Sequence, residues 1–176
     1  MRTHLASAIA IALIATSAAA QQPASGKVAV ISIQPITSML TIYTGEVELA
    51  MSRSATIGVG ATQFGGGDIG GNFNYLSGDL KLRYYPDSRA FQGFSFGGSV
   101  GMTRVSASSD NTQDSGSATA PSVGILLDYN WLLGSSKSFY VGIGAGAKAL
   151  FLNSDEFQED VTVRYPTARL SVGIAF

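Results

Sequence analysis

The sequence has no cysteine, and its single histidine is His4. The first absence removes disulfide frameworks, thiol chemistry and a lipid-anchored cysteine. The second leaves the chain beyond residue 20 without an imidazole, which excludes Ser–His triads and takes the usual ligands away from a transition-metal site. Charge is scarce as well. Charged residues make up 13% of the chain, about half the share of a soluble domain. The balance of 11 basic and 12 acidic residues gives nucleic-acid binding no support. Also missing, after residue 20, is any apolar run of the 18 or more residues a spanning helix needs. What is present is 45% hydrophobic residues and 21 glycines. An apolar, glycine-rich chain without helical spans fits strands that face lipid.

Residues 1–20 have the three parts of an export signal. Met1-Arg2-Thr3-His4 is a short basic start, 5–15 is an apolar run, and Ser17-Ala18-Ala19-Ala20 supplies the small residues a signal peptidase reads. The expected cut follows Ala20, and the apolar run is too short for a transmembrane anchor. Residues 21–176 then form one domain, slightly acidic once Arg2 is removed.

Period-two alternation dominates that domain. Phe94, Phe96, Val100 and Met102 share one face, opposite Ser95, Gly97, Ser99 and Gly101. Leu76, Leu80, Leu82 and Tyr84 oppose Ser77, Asp79, Lys81 and Arg83. Val123, Ile125, Leu127, Tyr129 and Trp131 oppose Gly124, Leu126, Asp128 and Asn130, and at the end of the chain Ala168, Leu170, Val172, Ile174 and Phe176 oppose Arg169, Ser171, Gly173 and Ala175. Four further segments, 27–36, 42–52, 55–64 and 139–152, alternate with less contrast, and Pro35 should end the first because it cannot donate to a ladder. The reading is all-β: an eight-stranded antiparallel up-and-down transmembrane β-barrel.

The connections agree. Segments 52–54, 86–92 and 133–138 are short, whereas 65–74, 106–118 and 153–166 are long and polar; of the connections on the long side, only 36–41 is brief. Short turns alternating with long loops is how bacterial barrels are strung, with turns in the periplasm and loops outside. Tyr84, Phe94, Tyr129, Trp131, Phe139 and Phe176 have outward parity at the short-turn ends, as a periplasmic aromatic girdle requires. Tyr43 and Phe151 belong to the thinner opposite rim. A soluble sandwich or lipocalin-like barrel also alternates, but it would carry charge on this outer face.

With that architecture, and with the terminal run Arg169-Leu170-Ser171-Val172-Gly173-Ile174-Ala175-Phe176, residues 27–176 resemble the eight-stranded outer-membrane barrel superfamily typified by OmpA and OmpX. The resemblance implies an outer membrane of the Gram-negative type. It also implies that Leu170, Val172, Ile174 and Phe176 form an assembly signal read by the barrel-insertion machinery. Outer-membrane phospholipases, deacylases and proteases of similar size use a catalytic His and are poor matches.

Inward parity collects four acids, Glu46, Glu48, Asp79 and Asp128, and four bases, Lys81, Arg83, Lys148 and Arg169. An eight-stranded barrel is just wide enough for side chains to fill it, and buried charges persist when paired. These eight read as a structural network plugging the lumen rather than an ion path. Glu46 and Glu48 could form a carboxylate pair for acid–base work, but interior ion pairing is the simpler role. The run Gly142 to Lys148 lacks phosphate-loop spacing and has no following helix, so its inward glycines read as room for larger lumen side chains. Glycines around Asp68 give one copy of a calcium-type repeat, which by itself reads as a loop. Asp155, Glu156, Glu159 and Asp160 form a weak cation-binding cluster that could hold a divalent ion near lipopolysaccharide headgroups, or simply a solvated charge run.

The sequence thus leads us to expect a monomeric, non-enzymatic, cofactor-free barrel in contact with outer-membrane lipid and lipopolysaccharide, working through its exposed loops. The alternative is porin-like or lateral passage of small or apolar solutes.

Overall fold

The computed structural model describes residues 26–35, 41–67, 71–109, 115–152 and 161–176. The expected leader at 1–20 and the acidic cluster Asp155, Glu156, Glu159 and Asp160 lie outside them. Eight strands follow one another: β1 (Ala29–Ile33), β2 (Ile42–Ala50), β3 (Ala55–Gly67), β4 (Gly71–Tyr84), β5 (Gly93–Ser109), β6 (Ser115–Leu133), β7 (Phe139–Leu152) and β8 (Val161–Ala175). Each pairs antiparallel with its sequence neighbours, and β8 returns to β1 to close the barrel. Closure leaves no sheet edge along the paired span, which is what a strand-built membrane crossing requires. Among the described residues no helix is long and apolar enough to cross a membrane.

Alternation sets the two faces. Leu80, Leu82, Val100, Ile125, Leu127 and Ile143 are exposed on the outside, while the residues between them point inward. The apolar band ends toward the loops at Gln63, Asn74, Arg104, Thr119 and Arg164, which are also exposed. At the short-turn end the aromatics stand in contact: Tyr129 and Trp131 have ring centroids 4.7 Å apart, and Tyr84 and Phe96 5.5 Å.

The long loops expected from the sequence are shorter than that reading. β3 and β4 continue through Gly67 and Gly71, β5 and β6 through Ser109 and Ser115, and β8 begins at Val161. At the start of β6 the residues from Gly116 to Thr119 are all exposed, so nothing selects for alternation there and the ladder runs on in Gly, Ser, Ala and Thr. β1 is the opposite case. It stops at Ile33, ahead of Pro35, so β8 meets β1 only from Ile33↔Val172 to Val30↔Ala175. Main-chain bonds at Phe176 reinforce that short seam: its carbonyl accepts from Val28 N at 2.8 Å and Ala29 N at 3.0 Å, and its N–H donates to Ala29 O at 3.0 Å.

The short-turn end is closed by part of the chain that has no strand parity. Turn 85–92 folds beneath the barrel and buries Ala90 and Phe91 completely among Val30, Ala50, Leu132, Tyr140 and Ala175. Phe91 adopts φ 67° to do so, a left-handed conformation unfavourable for a bulky residue. The turn is anchored by Ala90 N to Arg53 O and Tyr85 N to Ser54 O, both 2.7 Å.

Candidate functional site

The lumen is built in layers above this cork. Tyr140 O–H donates to Asn130 Oδ1 at 2.6 Å, and Asn130 Nδ2 donates to Ser95 Oγ at 3.2 Å and to the Tyr85 hydroxyl at 3.4 Å. Tyr85 O–H donates to Glu48 at 3.1 Å, and Thr56 donates to the same carboxylate. Burial, with Glu48 alongside, keeps the Tyr85 phenol protonated well above its ordinary range.

The next layer is ionic, and it holds all eight inward charges that the parity collects. Arg83 is its centre. Nη1 donates to Glu46 at 2.6 Å and Glu48 at 2.8 Å, while Nε donates to Asp128 at 2.8 Å. Lys81 binds Glu46 from the loop side. Arg169 lies 3.3 Å from Asp128 and 3.6 Å from Glu46, and its Nη2 donates to the Tyr140 hydroxyl at 3.1 Å. Lys148 binds Asp79 at 2.7 Å and donates to Ser77 at 2.9 Å, with Thr103 donating to Ser77 in turn. Arg83, Glu46, Glu48 and Asp128 are almost wholly buried. Charges taken this far from water persist only when paired and hydrogen-bonded, and each carboxylate here has at least one cation.

Inward glycines leave the space for this layer. A Cβ at Gly144 would overlap the Asp128 carboxylate, and one at Gly101 would overlap that of Asp79. A Cβ at Gly142 would lie 2.7 Å from Asn130 Oδ1. The run Gly142 to Lys148 is strand in β7, and it admits the long side chains of neighbouring strands.

Side chains do not fill the lumen throughout. On the loop side of the ionic layer lies a cavity of about 400 Å³. Thr44, Thr62, Ser99, Gly124 and Thr167 line it, inward residues too small to meet across the barrel. Tyr75 and Tyr165 do meet, with their hydroxyls 3.3 Å apart. Sequence reasoning found neither this cavity nor the Phe91 cork. The small inward residues gave a signal for the first; nothing in the pattern marked the second.

Leu170, Val172 and Ile174 face outward on β8, ahead of an exposed Phe176. No group of three or more acidic residues that could hold a metal occurs among the described residues.

No family model matches the sequence, and no curated protein matches it. Solved structures do. The N-terminal β-barrel domain of Pseudomonas aeruginosa OprF superposes with a TM-score of 0.50 at 15% identity, covering 85% of this chain and 98% of its own. Ail, the attachment invasion locus protein of Yersinia pestis, gives 0.51 at 16% identity, covering 85% of this chain and 97% of its own. At such identity the likeness concerns the fold, and it agrees with the strand count, the closure and the two-faced alternation. The chain has the fold of the small eight-stranded outer-membrane β-barrels.

Proposed function

We propose that this chain is a monomeric, non-enzymatic outer-membrane barrel protein that does not conduct and that acts through its loop side. The observation that carries the reading is the closed floor of the lumen: the Arg83-centred ion network crosses it, and Phe91 corks the end beneath. The outward apolar band, ending in aromatics on the short-turn side, supports residence in a lipid bilayer. The leader at residues 1–20 would be cleaved on export through the inner membrane. The outward row Leu170, Val172, Ile174 and Phe176 would then be the strand recognised by the barrel-insertion machinery. In the mature protein, lipopolysaccharide would be met by the loop-side rim, with Asp155, Glu156, Glu159 and Asp160 as its cation-binding residues.

Passage of small or apolar solutes is the second reading, and the loop-side cavity favours it. Planar-bilayer recording on the refolded protein decides between them. The proposal expects a silent membrane after insertion; stable unitary conductance would replace it with the passage reading.

A further inference from the structure

The loop-side cavity has no role in holding the barrel together. At about 400 Å³ it falls within the roughly 300–1,000 Å³ typical of small-molecule sites. Part of its wall is apolar. Ile42, Phe64, Phe73 and Leu126 line it, from β2, β3, β4 and β6, and the Phe64 and Phe73 rings are tilted together with centroids 5.8 Å apart. Another part, among the small polar residues, is charged, and the charge is sorted by sign. Lys81, Lys148 and Arg169 line the cavity with Asp79. Glu46, Glu48 and Asp128 are withdrawn behind them and held by Arg83. The lumen balances as a whole, yet three cations and one carboxylate face the empty space.

These two halves of the wall call for a two-part ligand. A neutral apolar molecule would cover the rings but strip water from the cations without replacing it. A bare small anion would satisfy the cations and leave the aromatic wall wet. We propose that the cavity is a binding site for a small carboxylate carrying a compact apolar body. Its head would rest on Lys81, Lys148 and Arg169, and its body against Phe64, Phe73 and Leu126. The inference rests on the closed floor, because the ion network is what holds the three cations in place.

The test uses 4-phenylbutyrate as probe, with 4-phenylbutanol and butyrate as partial ligands, titrated into the full mature barrel refolded in zwitterionic micelles. Amide shifts of β7 and β8 residues around Ala147 and Thr167 are the readout. Saturable shifts with phenylbutyrate are expected, with affinity about tenfold or more above either partial ligand, since phenylbutanol forgoes the charge-assisted hydrogen bonds and butyrate the burial of the ring. Lys148→Met should lose a similar factor. Leu126→Trp, which fills the cavity from a wall outside the ion network, should abolish the shifts, and it carries the test if Lys148→Met does not fold. Equal binding of phenylbutanol would make this a grease pocket, and equal binding of butyrate an ion site; either overturns the proposal. So would shifts that survive Leu126→Trp, which would come from the micelle. Conductance recorded on the same preparation separates the two readings: a silent barrel without binding sinks only the ligand, and a conducting one sinks the closed floor.

Discussion

The two ends of the lumen are made from the same strands and differ in almost everything else. Toward the short turns, long and charged side chains meet at 2.6–2.8 Å around Arg83, glycines yield the space they need, and Phe91 seals the end. Toward the loops, threonine, serine and glycine leave a cavity bridged by the Tyr75–Tyr165 contact. A barrel of fixed strand number has fixed girth, so residue size alone decides whether a given level is solid or hollow. The lesson is that packing and accessibility are partitioned along the axis: one half is solid, the other leaves room.

Substitutions can break that contrast. Arg83→Met removes the cation shared by Glu46, Glu48 and Asp128 and should destabilise the barrel by about 3–5 kcal/mol, the cost of leaving buried charge uncompensated. Urea unfolding in detergent, read from the shift of the folded band on unheated gels, measures it. Phe91→Ala should lose about 3 kcal/mol as the cork empties, less whatever is recovered at its left-handed φ. Gly144→Ala should cost about 1–3 kcal/mol by overpacking against Asp128. Outward Gly78→Ala, where a Cβ meets nothing within 4 Å, should stay within about 0.5 kcal/mol. The hollow half should resist little: Leu126→Ala already borders empty space and should cost about 1 kcal/mol or less. Equal costs for Arg83→Met and Leu126→Ala would mean that the two halves are not energetically distinct.

Much of the fold is legible in the sequence, because a half-buried strand writes its two faces into alternate residues. Leu80 outward and Lys81 inward follow from parity alone, and so does the membership of the charge network. Which charges meet is another matter. Arg83 reaches Asp128, 45 positions away, and that depends on the stagger between strands, which alternation does not encode. The polar start of β6 is invisible for a related reason: Gly116 to Thr119 are all exposed, so no face is favoured. Phe91 is illegible because a turn residue has no parity, so its apolar side chain gives no direction.

The β1–β8 seam gives the closed barrel a preferred place to fail. β5 and β6 are laddered from Gly93↔Asn130 to Ser108↔Ser115, whereas β1 and β8 share only the stretch from Val30 to Ile33. Sub-global opening draws on the least protected contacts first, so amides of β1 should exchange with solvent ahead of those in β5 and β6. Phe176 then acts on two separate clocks. Its ring can be removed by Phe176→Ala with its main chain still fastening Val28 and Ala29, whereas deletion of the residue removes the fastening itself. The lifetime of the closed ring therefore depends on the main chain of Phe176, independently of any message that its aromatic side chain carries.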